Sequence, residues 1–132
     1  MSLTQDERKA IIDYRIEKAQ IAMDEAAKVT TLGLWNIAAN RLYYALYYAA
    51  SALLISDGLS SHTHRGLITQ IHLNYVKTEK LTEEDGKLLR RMFTMRHEGD
   101  YEDFIDASED DILSVTPKVK ALVKKLTSMI TL

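Results

Sequence analysis

The sequence contains no cysteine, which excludes disulfides and thiolate zinc sites and accords with a reducing compartment. Proline occurs once and glycine five times. Few positions therefore force a helix to stop, and long helices are favoured over a strand-and-turn fold. A dominant charge of one sign is also missing. Lys and Arg number 17 against 19 Asp and Glu, a net charge of −2, so no global field draws the chain toward nucleic acid. Nor is there a long uninterrupted apolar run. The most apolar stretch, residues 37–55, contains Asn40, Arg41, Ser51 and several tyrosines; it is too polar for a membrane span and reads as a buried core helix. The segment Met1 to Arg15 is charged and polar, unlike a signal peptide. We expect no membrane association and a cytoplasmic location. No glycine-rich phosphate loop, nucleophile elbow or spaced carboxylate pair is found, and no cofactor is implied.

What is present is helical periodicity. With 132 residues, 46% hydrophobic and 27% charged, the chain has the balance of one globular domain spanning 1–132. Five helical segments can be drawn. The first begins at Thr4, where Thr4 and Glu7 form a capping box, and runs to about Val29. Its apolar face is Ile12, Ile16, Ala19, Met23, Ala26 and Ala27. After a break at Gly33, the second runs from about Leu34 to Ser56 and is apolar nearly all round, which makes it the central helix. Asn36, Asn40, Tyr43 or Tyr44, Tyr47 and Ser51 recur on it at helical spacing as a thin polar stripe. Alanines 38, 39, 45, 49, 50 and 52 allow neighbouring helices to approach closely.

Asp57-Gly58 ends that helix. A third, about Thr63 to Val76, carries Leu67, Ile68, Ile71 and Tyr75 on one side. The fourth starts at Thr82, with Asp85 three places on, and runs to about His97. The fifth starts near Ser108, with Asp111 in the matching position, and extends to about Ile130 through Ile112, Val115, Val119, Leu122, Val123 and Leu126. Pro117 lies inside that last pattern and is expected to kink or split the helix. Lys118, Lys120, Lys124 and Lys125 read as its solvated back.

The chemically suggestive residue is Arg96. On the fourth helix the apolar stripe of Leu88, Leu89, Met92 and Phe93 continues to this arginine. A guanidinium on an inward face is costly unless it is paired or lines a cleft. Asp100, four residues later, is in reach if the helix persists, whereas Gly99 can end it. Two readings stay open: a structural Arg–Asp tie, or an anion site in which the forked donors of Arg96 match a phosphate and a neighbouring Tyr or His handles a proton. His62 and His64 form a His-x-His without a third ligand at metal-binding spacing, so no metal site is expected. His64 reads as a cap, a core-edge hydrogen-bonding group or a cleft residue. The segment from Glu98 to Asp111 holds eight acids and no Lys or Arg; it suits the positive end of the fifth helix and repels an RNA backbone.

The run Asn40-Arg41-Leu42-Tyr43-Tyr44-Ala45-Leu46-Tyr47-Tyr48-Ala49-Ala50-Ser51-Ala52-Leu53-Leu54 resembles the tyrosine- and alanine-rich helix of HEPN-domain proteins. Thr63-His64-Arg65-Gly66, Leu88 to Phe93 and Arg96-His97-Glu98-Gly99-Asp100-Tyr101 resemble the later signatures of that family, in its small stand-alone branch with an arginine followed by Asp-Tyr. The resemblance spans about residues 5–130 and implies an all-α, up-and-down helical bundle that forms a homodimer. It also implies pairing with a minimal nucleotidyltransferase as a toxin–antitoxin system. Many members are metal-independent ribonucleases that use an arginine, four to six residues and a histidine in a cleft shared between protomers. Arg96 matches the arginine, but Tyr101 stands where the family places the histidine, and His97 is adjacent to Arg96. Three functions follow as alternatives. The first is a dimeric module binding a nucleotide, a phosphate or the nucleotidyltransferase, with Arg96, Asp100, Tyr101, Asn40, Tyr44, Tyr47 and His64 lining the cleft. The second is a ribonuclease toxin acting on RNA through Arg96, His97 and Tyr101. The third is a purely structural dimer.

Overall fold

The computed structural model describes residues 3–96 and 106–130. All its regular structure is helical: α1 (Gln5–Thr31), α2 (Trp35–Ser56), α3 (His64–Ile71), α4 (Glu83–Met95) and α5 (Glu109–Ser128), with a π-helical turn, His72–Val76, continuing α3. No strand occurs among the described residues.

Local chemistry sets most helix starts. Thr4 accepts from the Glu7 N–H at 3.0 Å while Glu7 accepts from the Thr4 N–H at 2.9 Å. Thr82 with Asp85, and Ser108 with Asp111, repeat this reciprocal box at α4 and α5. The carboxyls of Glu7 and Asp111 are held below their ordinary range, chiefly by these backbone N–H donors. Gly33 and Gly58 end α1 and α2 with φ of +70° and +76°. That left-handed conformation lets the following N–H groups fold back onto the last carbonyls, Leu34 to Val29 at 3.0 Å and Leu59 to Leu54 at 2.8 Å.

The centre of the bundle is α2, which touches each of the other four helices. Its alanines 38, 39, 45, 49, 50 and 52 are fully buried together with Leu42, Tyr43 and Leu46. Small side chains let the neighbouring backbones come close, and the larger ones fill the remaining space. The antiparallel α1–α2 pairing is fixed by polar contacts spread along its length. Arg8 donates to the Ile55 carbonyl at 3.0 Å, Arg15 donates to the Ser51 hydroxyl, and Arg41 pairs with Glu25 at 3.2 Å. Arg8 thereby places a cation at the negative end of α2, a helix with no basic residue in its own last turn. On α1 the buried face includes Ala22, while Ala27, assigned to it by periodicity, is exposed; the burial stripe is narrower than the apolar one.

The structure corrects three expectations. Pro117 lies within a continuous α5 rather than splitting it. The proline is exposed, and Leu113, whose carbonyl loses its helical partner, is 53% exposed, so water can satisfy that oxygen. Lys125 does not belong to a solvated back: it bonds Asp85 of α4 at 2.6 Å. Burial raises the Asp85 carboxyl, but the Lys125 ammonium and the Thr82 N–H outweigh it, and the group ends below its usual value. The third helix does not stay α-helical to Val76. Its last turn widens, with Lys77 N–H bonding the His72 carbonyl at 2.9 Å. The wide turn buries the consecutive residues Tyr75 and Val76 together. Tyr75 donates to Asp57 at the end of α2, and Val76 packs on Gly86, where an added Cβ would lie 3.3 Å away. Desolvation first and the Asp57 carboxylate second push the Tyr75 phenol upward.

Candidate functional site at the end of α4

Arg96 is the C-cap residue of α4. Its guanidinium carbon sits 4.0 Å from the centre of the Phe93 ring, and Nη1 donates to the Phe93 carbonyl at 2.6 Å. The side chain is thus folded back over its own last turn, half-buried, with cation–π and hydrogen-bond contacts holding it. The same bond caps a helix carbonyl. From α2, Asn40 Nδ2 donates to the Arg96 carbonyl at 2.9 Å, pinning the backbone of this residue to the central helix. Asn40 Oδ1 in turn accepts from Arg41 Nε and Nη2 at 3.1 and 2.8 Å, and Arg41 lies 5.2 Å from the centre of the Tyr44 ring.

Behind Arg96 stands an aromatic wall. Tyr43 is wholly buried, and its hydroxyl lies 2.6 Å from His64 Nδ1. The ring of His64 is 4.8 Å from Tyr47, 5.9 Å from Tyr44 and 6.1 Å from Phe93. His64 is held below the ordinary imidazole range, first by partial burial and then by the positive charge of Arg96. Thr63, not His64, caps α3, accepting from the Gly66 N–H at 2.8 Å. A side chain at Gly66 would crowd the hydroxyls of Ser61 and Thr63; a glycine there leaves the cap its room.

Of the residues singled out by sequence, the fold gathers Arg96, Asn40, Tyr44, Tyr47 and His64 into one cluster. His97, Asp100 and Tyr101 lie outside the described residues, and with them the Arg96–Asp100 pairing. The polar stripe on α2 divides between partners: Ser51 faces α1 through Arg15, Asn40 faces α4 and Asn36 grips residues 106–107. There, Asn36 Oδ1 accepts from the Ala107 N–H at 2.8 Å and its Nδ2 donates to Asp106 at 3.0 Å, seating the chain just before α5. Tyr43 and Phe93 were missed as site residues. The choice between Tyr43 and Tyr44 could not be made from spacing, and Phe93 read as core. No cluster of three or more potential metal ligands occurs among the described residues, and no helix there is long and apolar enough to cross a membrane. A groove between α1 and α5, of about 970 Å³, is lined by Met23, Ala27, Pro117 and Lys124 and contains none of this cluster.

A helical bundle built on a tyrosine-rich central helix, with an arginine closing α4, is the arrangement in question when the chain is compared with known proteins. The family model for the HEPN domain matches residues 12–129, and the chain belongs to that family. A UPF0332 protein of Thermotoga maritima is 33% identical over 125 residues, covering 95% of each chain. Two proteins of Methanocaldococcus jannaschii whose names class them as candidate toxins are also similar. One is 22% identical over 103 residues, 78% of this chain and 70% of the relative. The other is 29% identical over 90 residues, 68% of this chain and 67% of the relative.

Proposed function

We propose that this protein is a homodimeric, single-domain HEPN module of the cytoplasm whose Arg96 cleft holds a nucleotide, a phosphate group or the surface of a partner nucleotidyltransferase, as one half of a toxin–antitoxin-like pair. The observation that carries this reading is the pose of Arg96. Its guanidinium is fixed on Phe93 at 4.0 Å, and its backbone is tied to Asn40 at 2.9 Å. An arginine whose rotamers are already restricted loses little further entropy on meeting an anion, and its planar fork matches phosphate oxygens. Tyr44 and Tyr47, which flank His64, and Tyr48 next to them are half-buried aromatic faces on which a base can stack. The names of two relatives support the toxin context.

The test is thermal unfolding with mononucleotides. A ligand present at about a hundred times its Kd adds roughly 2.7 kcal/mol of stability. The melting temperature of the wild type should rise, and that of a folded Arg96→Ala variant should not. No rise, or an equal rise in both, removes the reading.

The toxin-named relatives also favour a second reading, an active ribonuclease. Arg96 would stabilise the developing charge, and His97 or Tyr101 would move the proton during attack by a 2′-hydroxyl. RNA incubated with wild type and Arg96→Ala decides it: cleavage that requires Arg96 supports the enzyme, and cleavage that is absent or equal in both discards it.

A further inference from the structure

Polar ties close several helix seams of this bundle. Arg8, Arg15 and Arg41 join α1 to α2, while Lys125–Asp85 at 2.6 Å and Arg91–Asp111 at 3.8 Å join α4 to α5. Between α1 and α5 no hydrogen bond or ion pair occurs among the described residues, and the two helices part into the groove of about 970 Å³. Met23 and Ala27 from α1, with Pro117, Ala121 and Val123 from α5, give it an apolar lining. Thr116 and Thr127 also line it, but their hydroxyls donate to the Ile112 and Val123 carbonyls one turn back, at 2.6 and 2.7 Å. Those donors are used within α5 itself, and the proline has no N–H to offer. Charge sits on the lips. Lys120 and Lys124 stand one turn apart on α5, with Asp24 on α1, and all three are exposed. None of them forms a hydrogen bond or ion pair with a described residue. The chain thus leaves an apolar trough with a basic lip facing a single acid, and draws neither lip onto the other.

We propose that this groove docks an amphipathic α-helix of a partner protein, apolar along the stripe that enters and acidic along the edge that meets Lys120 and Lys124. A helix is the fitting form because the walls are themselves helices, whose ridges and grooves accept a third, and no strand among the described residues offers an edge to pair with. From residue 116 to 127, α5 gives the trough a length of about 16 Å, or about three helical turns. Met23, an unbranched thioether, can adapt to the surface that enters. Acid is the fitting chemistry because two unpaired cations on one lip outweigh the lone carboxylate on the other. A second copy of this chain fits less well. An isologous contact sets the same patch on both sides, so the lysines of both copies would gather against half as many aspartates. The groove shares no residue with the Arg96 cluster, so the proposal stands whatever Arg96 binds.

The probe is a synthetic helical peptide of about fifteen residues, with leucines at three-and-four spacing and glutamates along one edge, beside a twin whose glutamates are lysines. Fluorescence anisotropy of each labelled peptide with the full chain measures affinity, and the Met23 methyl resonance in NMR marks the place of binding. The acidic peptide should bind, shift that resonance and lose affinity as salt rises. The twin should bind about tenfold more weakly. Lys120→Glu combined with Lys124→Glu should weaken the acidic peptide about tenfold and strengthen the twin. Both positions are exposed, so the variant should keep its fold, which circular dichroism checks. Ala27→Trp, which fills the groove without altering its charge, should abolish binding of the acidic peptide. The proposal is overturned by no binding of the acidic peptide, equal binding of the two peptides or an unmoved Met23 resonance. Wild-type affinity in the charge-reversed variant or in Ala27→Trp overturns it as well. Self-association of the chain that shifts Met23 and displaces the peptide assigns the groove to a second copy, and the partner helix is then rejected. None of these outcomes bears on the reading of Arg96 as an anion site.

Discussion

At the scale of single residues, the contact that organises the site is the hydrogen bond between Tyr43 and His64. Tyr43 has no exposure at all, so its hydroxyl must find a partner inside the fold, and His64 Nδ1 at 2.6 Å supplies it. Tyr43→Phe keeps the ring packing and removes the hydroxyl that meets His64; it should cost about 1–1.5 kcal/mol in urea unfolding. The loss should shrink when His64 is already Phe, since a double-mutant cycle isolates the pair. Because the folded environment disfavours His64 protonation, its contribution has a defined sign. The stability it permits is present above its unfolded-state value and is lost as pH falls toward the lowered folded one. Arg96 acts on the same residue from α4 through its charge, so the two side chains form one electrostatic unit although 32 positions of sequence separate them.

At the scale of elements, α5 is held by contacts its own sequence does not announce. Its link to α4 is the Lys125–Asp85 pair at 2.6 Å, in which Asp85 also closes the capping box of α4. Lys125→Met should lower stability at neutral pH by about 0.5–1 kcal/mol, the range of a partly exposed pair. The difference from wild type should fade under acid. The Asp85 carboxyl is held below its ordinary value, so its contribution is present above the unfolded-state value and disappears as pH drops through the folded one. Chemical denaturation at neutral pH and near pH 3 checks the sign; a difference that grows with acid contradicts it. Pro117 is a second feature of α5. The helix continues through it, but the Leu113 carbonyl has no N–H from residue 117 to accept. Pro117→Ala restores that donor and should stabilise the protein by about 1–3 kcal/mol, read as a higher urea midpoint with an unchanged slope.

At the scale of the whole molecule, the proposed homodimer predicts two copies acting together. Sedimentation velocity should give about twice the 15.0 kDa chain mass at micromolar concentration; a single species at the chain mass would contradict the dimer. Exposed Leu32, Leu34 and Ile37, at 71%, 43% and 49%, gather around the α1–α2 turn. The acidic stretch up to Asp111 continues into the first turn of α5, where Glu109, Asp110 and Asp111 suit the positive helix end. These charges oppose a long nucleic-acid backbone.

Sequence alone determined whatever depends on residues three or four apart. The boxes at Thr4–Glu7, Thr82–Asp85 and Ser108–Asp111, the glycine stops after α1 and α2, and the apolar stripes that bury Ile12, Leu89, Met92 and Val119 are all short-range consequences of helical geometry. The family resemblance of the tyrosine helix and the arginine that follows α4 was legible for the same reason. Only the tertiary structure decided which of Tyr43 and Tyr44 is buried and bonded to His64, that Asn40 holds the Arg96 carbonyl, that Asn36 seats Ala107, and that Lys125 is paired rather than solvated. Each of those contacts joins helices far apart in sequence. Their partners are set by the rotation of one helix against another, which periodicity leaves undetermined because adjacent positions on a largely apolar helix such as α2 present equally good packing faces.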